Sequence, residues 1–423
     1  MASNYSNIER IGARILSHLP LTKRVVKCLY QKLVFTYYRK SYHCRLVRPM
    51  ICVSSNTICE TFFGYYDKSP ANLSGSYVIY QQCMYPTKFK PDCTKPINVT
   101  LQEVTSEKKV AELASYAYNW QQGTKLQWLT DRRFIFNDYD PILDRYVAKV
   151  FDIDACRIIR IFPLPIYDCY GENFALTLNF DRLARLAPDY GYSNRLDKPM
   201  DLNDIDSDGI FFINMRDGKY HLIVTLNHII KIEPKNSMRG ALHTINHIMI
   251  SPDGENFVFI HRWYKNGRRF DRLMHARKDG SKIRVLAGFG MVSHCFWVDE
   301  STILAYMRGP GYGDAYWLIN TVTGELVPIR LHTIDKYGDG HPNVCGDWFV
   351  TDTYPDKARM QHLFLCNWKT GEVREIGEFF HSFEYKRETR CDLHPRFSPN
   401  GKEIFFDSVF DGCRRLYKLE VKL

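Results

Sequence analysis

The sequence predicts an all-β fold: a seven-bladed β-propeller over residues 51–423, preceded by a short basic helical extension over residues 1–50. Three observations predict it. Four histidines, His247, His294, His341 and His394, recur 47, 47 and 53 residues apart. Each stands just ahead of a strand-turn-strand signal, with Asp-Gly, Asn-Gly or Thr-Gly between short apolar runs, the pattern of antiparallel hairpins. No helix-period stretch of useful length appears after residue 51. A repeat of roughly 40 to 50 residues carrying four short strands is the signature of a propeller blade.

The four later units are the clearest. Their contexts are Asn246-His247 before Ser251-Pro-Asp-Gly254, Ser293-His294-Cys-Phe-Trp297, Gly340-His341-Pro342 and Leu393-His394-Pro395 before Ser398-Pro-Asn-Gly401. After each turn comes a strand-like run, Phe257-Val-Phe-Ile260, Ile303-Leu-Ala-Tyr306, Trp348-Phe-Val350 or Ile404-Phe-Phe406. Second turns follow at Lys278-Asp-Gly280, Val322-Thr-Gly324 and Lys369-Thr-Gly371.

Three weaker units precede them, centred on Tyr77-Val-Ile-Tyr80, Phe134-Ile-Phe136 and Phe174-Ala-Leu-Thr-Leu178. The third is stretched, because a polar segment over 181–208 separates its first hairpin from Ile210-Phe-Phe-Ile213. Loops of that length in a compact domain are often functional. Three and four units make seven blades. The 14% aromatic content suits wedge-shaped blades that pack through large flat side chains.

Charge separates the two parts. Of a net +10, residues 1–50 hold +9, from ten Lys or Arg against Glu9 alone, which leaves about +1 for the other 373 residues. A nearly neutral body removes the main support for nucleic-acid binding, and no nucleic-acid partner is expected. In the extension, Ile8, Ile11, Ile15 and Leu19 step at helical spacing before Pro20. After a Thr22 cap, Val25, Val26, Leu29, Leu33 and Val34 continue an apolar face opposite Lys23, Arg24, Lys27 and Lys32. Nothing is long enough to span a membrane or shaped like a signal peptide. A basic amphipathic pair of this kind lies on an anionic membrane surface, or packs against the propeller or a partner protein, through residues 1–45. Thirteen cysteines in no framework spacing point to reduced thiols and a cytoplasmic setting, peripheral on the inner membrane surface.

In a propeller, equivalent positions on successive innermost strands form a ring at one mouth of the central channel. His247, His294, His341 and His394 are consecutive members of that ring, with Asp67 and Asp168 at similar offsets in the weaker blades. Propellers of the Trp-Asp-repeat type use one His per blade for structural hydrogen bonds, but the Trp-Asp ending is missing here. Adjacent imidazoles repel when protonated, a poor structural device and a good divalent-metal site. His243 and His261 are candidates for the same mouth, while His43, His275, His362 and His381 read as packing or surface residues.

The blades with Asn-His before Ser-Pro-Asp-Gly, Ser-His-Cys-Phe-Trp, Gly-Asp-Gly-His-Pro and Asp-Leu-His-Pro-Arg-Phe-Ser-Pro-Asn-Gly resemble the oligogalacturonate lyase family, seven-bladed enzymes that cleave short pectin fragments. That resemblance covers mainly residues 240–423. A second resemblance, to bacterial propellers encoded among polysaccharide-biosynthesis genes, extends over most of 60–423, including Phe63-Gly-Tyr-Tyr-Asp-Lys-Ser-Pro70 and Leu178-Asn-Phe-Asp-Arg-Leu-Ala-Arg-Leu186. The lyase resemblance implies a manganese-type divalent ion held by His294 and His394, with His341 a further ligand, and His247 as general base. It also implies a departure: where the lyases carry a Gln and two closely spaced His, this chain has Asp392 and His394.

The implied reaction is β-elimination in an acidic, uronate-containing oligo- or polysaccharide. It needs the substrate carboxylate neutralised and a base of near-neutral pKa. Arg390, Arg262, Arg182, Arg185 and Lys68 are candidate carboxylate ligands, with Asp392 beside them. Tyr65, Tyr66 and Trp263 are candidate sugar-stacking groups. Nucleophile-elbow, phosphate-loop and His-Glu-x-x-His motifs are missing from the sequence. Asp67, Asp168, Asp339 and Asp392 keep a two-carboxylate hydrolase open. The alternative of another class is a non-catalytic propeller that binds glycan or protein during exopolysaccharide assembly at the membrane.

Overall fold

A computed structural model of the chain describes residues 20–55 and 58–423. Seven antiparallel sheets follow one another around a central axis, the propeller that the repeat predicts. The first three blades begin with the innermost strands Glu60–Phe62, Gln127–Trp128 and Asp168–Tyr170, and the last four with Leu242–Ile250, Val292–Trp297, Asn343–Cys345 and Arg396–Phe397. Blade 4 shows the unit complete, with Asn256–Lys265, Arg268–Arg277 and Arg284–Gly290 laid outward in sequence order.

The hairpin turns form where the sequence places them. Gly254 ends the Ser-Pro-Asp-Gly turn at φ 73°, and a Cβ there would stand 2.6 Å from the Tyr170 ring of blade 3. Backbone conformation and interblade packing therefore both demand glycine. Between blades the aromatic and branched side chains interleave. Ile79, Tyr80, Val99 and Leu101 of blade 1 share a core with Phe134, Phe136 and Phe151 of blade 2. Each such side chain, fully withdrawn from water, contributes about 1.5–3 kcal/mol before ordering entropy is subtracted.

The ring is closed by the chain's early residues. Met50–Cys52 pairs antiparallel with Arg415–Glu420 as the outermost strand of blade 7, and Cys44–Leu46 adds a fifth strand to Val373–Phe380 at the edge of blade 6. On the inside, Asp407 of blade 7 accepts the backbone N–H groups of Phe63 and Gly64 at 3.0 and 3.1 Å and pairs with the buried Arg396 at 3.2 Å. Innermost strands are stitched by side chains that satisfy the next blade's amides: Gln127 accepts from Cys169, Asp168 from Ile250 and Asn343 from Phe397. These acceptors replace the ladder partners that an innermost edge otherwise lacks.

Helix α1 (Pro20–Tyr38) precedes the propeller strands. Its described residues start at Pro20, so Thr22 lies within the helix rather than capping it. The expected helix through Ile8, Ile11, Ile15 and Leu19 lies outside the described residues. The stretched third blade carries α2 (Phe180–Leu186) between Phe174–Thr177 and Gly209–Asn214, and α3 (Leu226–Lys231) follows its outermost strand, Tyr220–Thr225. Asn179 caps α2 by accepting from the N–H groups of Asp181 and Arg182. None of the twelve described cysteines is in a disulfide, and no described helix is long and apolar enough to cross a membrane.

Candidate functional site

The four histidines do converge. Each lies where its innermost strand bulges or begins: the ladder register breaks between Asn246 and Met249 in blade 4 and between Val292 and Cys295 in blade 5. His247 and His394 take the left-handed conformation, at φ 55° and 44°, which turns their side chains out of the sheet and into the channel. Ring centroids are 5.4 Å apart for His247 and His294, 4.0 Å for His294 and His341, and 4.3 Å for His341 and His394. Tyr65 completes the circle, 5.1 Å from His394 and 5.3 Å from His247.

Tyr65 reaches this position because Phe63–Lys68 leaves the blade 1 strand and crosses the channel as a plug. Tyr66 hydroxyl donates to the Cys295 carbonyl at 2.9 Å and accepts its N–H at 3.1 Å, while Asn343 donates to the Tyr66 carbonyl. Asp67 pairs with Lys125 at 3.3 Å and Lys68 with Asp168 at 2.5 Å. With Tyr65 bonded to His247 of blade 4, this one hexapeptide bonds to all six other blades.

Hydrogen bonds fix three imidazoles through Nδ1. That of His341 meets Asp352 Oδ1 at 2.7 Å, that of His394 meets the Gly64 carbonyl at 2.8 Å, and that of His294 meets the Gly340 carbonyl at 3.2 Å and Asp339 at 3.3 Å. With the proton held on Nδ1, Nε2 is left as a bare lone pair, the usual ligand arrangement. His394 Nε2 is buried and has no hydrogen-bond partner. One ligand atom each from His341, Asp392 and His394 lie within 4.8 Å of one another, all three residues buried. Two imidazoles and a carboxylate are a donor set for manganese, zinc or iron, so the residues present fit a divalent ion.

The electrostatics suit metal ligands, but they leave His247 below the near-neutral base expected from the sequence. Burial, followed by the neighbouring His341, holds His394 well below the usual imidazole range, and burial with His294, Arg262 and Lys125 does the same to His247. His294 is lowered by burial and His341, with Asp339 opposing. His341 alone is raised: burial would lower it, but Asp352, with help from Asp392 and Asp339, outweighs that. Of the four imidazoles in contact only His341 is pushed toward the charged form, and Asp339, Asp352 and Asp392 surround them.

His247 is held differently. Its backbone N–H donates to Tyr167 Oη at 3.0 Å, Nε2 shares a short hydrogen bond with Tyr65 Oη, and Nδ1 is buried without a partner. Burial keeps Tyr65 far above the ordinary phenol range, hence protonated.

The remaining expected residues divide. Arg390 and Asp392 lie against the ring, joined by a bidentate pair at 2.6–2.8 Å, with Arg390 over the Tyr354 ring at 5.1 Å. Arg262 is near enough to depress His247 but is paired with Asp271 at 2.5 Å. Lys68 and Tyr66 belong to the plug, where Tyr66 faces His341 and His294 with its ring, its hydroxyl being committed. Arg182 is not brought to the ring. Its guanidinium pairs with Asp208 at 2.5 Å and donates to the carbonyls of Leu202, Asp204 and His243, stapling the 181–208 insertion to blade 4. Arg185 likewise serves backbone carbonyls of that insertion. Trp263 stacks on Phe270 and lies tilted against His261, and His243 and His261 bond to each other inside blade 4, at 2.9 Å.

Sequence reasoning passed over Asp352, Lys125, Tyr190 and Tyr354. Asp352 ends a buried strand, Trp348–Asp352, and is 2% exposed; an acid closing an apolar run next to a ring position was its one signal. The approach to the ring is bordered by partly exposed Asp189, Tyr190, Ser293, Tyr354 and Arg390.

The chain matches no protein-family model, and comparison with curated protein sequences finds no match. Among solved structures, it is similar to an oligogalacturonate lyase in complex with manganese, with a TM-score of 0.59 at 14% identity over 90% of this chain and 99% of that one. An oligogalacturonate lyase from Vibrio parahaemolyticus gives 0.57 at 13% identity, with the same coverage. The tricorn protease gives 0.52 at 12% identity, over 90% of this chain but 34% of that one. At these identities the likeness is one of fold: the chain is a seven-bladed β-propeller with the same fold as the two lyases.

Proposed function

We propose that the protein is a metal-assisted lyase that cleaves an acidic, uronate-containing oligo- or polysaccharide by β-elimination. The observation that carries this reading is the convergence of His341, Asp392 and His394, with the His294 ring centred 4.0 Å from that of His341 and the Nδ1 atoms already pinned. A divalent ion bound there, manganese by analogy of fold, supplies the positive charge that neutralises a uronate carboxylate and acidifies the adjacent C–H. Asp352 and the Gly64 carbonyl orient the ligand histidines. His247, neutral through burial, takes the proton at its unpartnered Nδ1, in the tautomer whose Nε2–H donates to Tyr65 Oη. The electron pair of the C–H bond forms the new double bond, and the glycosidic C–O bond on the next carbon breaks with its pair leaving on the oxygen, which takes a proton from water to become a hydroxyl. Arg390, only partly covered, offers charge to a flanking carboxylate.

The test is the ultraviolet absorbance of unsaturated uronate across galacturonate, glucuronate and mannuronate oligomers with added manganese. Wild type yields product, and His247→Ala lowers the rate by roughly 100-fold or more. One observation favours the second reading, a glycan-binding propeller without catalysis: the four histidines are only 2–3% exposed. Tight glycan binding with no product on any of the three oligomers selects it.

A further inference from the structure

Helix α1 rests on the propeller by one side. Phe35 packs edge-on against Phe383 at 5.5 Å and lies 5.8 Å from Phe380, and His43, just beyond the helix, stacks on Phe380 at 4.7 Å. The other side faces outward with Leu29 57%, Leu33 72% and Tyr37 84% exposed. At spacings of four residues these three form a narrow apolar stripe along the helix. Exposed Lys32, Arg39 and Lys40 accompany it, within a segment that holds ten cations and one acid in its first fifty residues. Large apolar side chains left in water beside a strong single-sign charge are the mark of an interfacial helix. A second copy of the same chain would bring two such charged segments together, so charge selects an anionic occupant.

The helix and the histidine ring share one face of the propeller. Tyr354 touches the His341 ring at 5.9 Å and stacks under Arg390, and Lys357, three residues later in the same loop, lies over the Tyr38 ring of the helix at 5.8 Å. The next connection repeats this: Phe383 holds the helix and Arg390 reaches the ring. The turns at 346–347, 369–371 and 399–401 belong to the opposite face, where the strands of blades 6 and 7 reverse.

We propose that α1 docks the protein on an anionic membrane surface with the histidine face turned toward the lipid. Glycans held at that surface then lie on the ring's side of the protein. The docking is independent of the chemistry at the ring, and its test reads no turnover.

Full-length protein is sedimented with phosphatidylcholine vesicles with and without phosphatidylglycerol, and compared with the triple variant Leu29→Glu, Leu33→Glu, Tyr37→Glu. All three positions are exposed, so the thermal transition serves as a control for folding. Binding is expected only with phosphatidylglycerol, to weaken with salt, and to fall about 100-fold in the variant. Hydrogen exchange on the vesicles is expected to slow in 353–359 and 381–390 and to stay unchanged at 346–347, 369–371 and 399–401. Equal binding to both vesicle types, equal binding by the variant, or self-association in place of vesicle binding overturns the docking. Protection of the opposite turns overturns the orientation.

Discussion

Asp352 grips His341 twice, one carboxylate oxygen meeting its backbone N–H at 2.9 Å and its Nδ1 at 2.7 Å. The second oxygen accepts the N–H of His394 at 3.1 Å. A single carboxylate at a strand end therefore sets two neighbouring members of the ring, and its charge is what lifts His341 against burial. Asp352→Asn keeps the volume and removes that charge. Manganese affinity, followed by calorimetry, is expected to weaken by about 10–100-fold with the fold intact. An unchanged affinity would show that the carboxylate only packs.

Gly64 joins the plug to the ring. It stands at φ 107°, and a Cβ there would meet the Gln122 backbone at 2.9 Å. Its carbonyl accepts from His394 at 2.8 Å and from Arg396 at 3.1 Å. Gly64→Ala is expected to cost about 1–3 kcal/mol in urea denaturation and to weaken metal binding through a displaced His394. A variant as stable as wild type removes the steric argument.

His362 supplies a pH-dependent contribution away from the ring. Burial would lower its pKa, but hydrogen bonds to Asp356 and Glu375 outweigh that and raise it; the same pairing lowers Glu375. A raised imidazole stabilises fully below its unfolded value, roughly 6.5, and its contribution is lost as pH rises through the folded value. The depressed Glu375 acts oppositely, losing its share as pH falls through its own folded value. His362→Gln should therefore destabilise by about 1–3 kcal/mol near pH 6 and by less near pH 9, by urea titration at each pH. Equal losses at both would contradict the charged pair.

Met50–Cys52 closes blade 7 against Tyr417, Lys418 and Leu419. Deleting residues 1–52 exposes that edge and is expected to lower the thermal midpoint by roughly 5 °C or more. Deleting residues 1–40 spares both added strands and should cost less. Matching midpoints for the two truncations would mean the closing strand contributes nothing.

The propeller and the ring were legible in the sequence for the same reason. A blade is a local unit, so its turns and its ring histidine recur at a fixed spacing, and His247 to His394 fall side by side. What supports the ring is not local. Tyr65 meets His247 across 182 residues, and Gly64 meets His394 across 330, contacts that depend on ring closure and leave no periodic trace. Arg182 looked like a substrate ligand because a long polar loop surrounds it, yet that loop needs an internal staple, and its carbonyls take up the guanidinium. Cys44–Leu46 and Met50–Cys52 are three residues each, too short for an alternating pattern to emerge.

The central claim is a divalent metal at the histidine ring. Protein purified without chelator, loaded with manganese and exhaustively dialysed, is assayed by plasma mass spectrometry beside His341→Ala and His394→Ala. The account predicts close to one ion per chain in wild type and roughly a tenth or less in each variant, with unchanged thermal transitions. Wild type that retains no ion, or variants that retain it equally, would contradict the account.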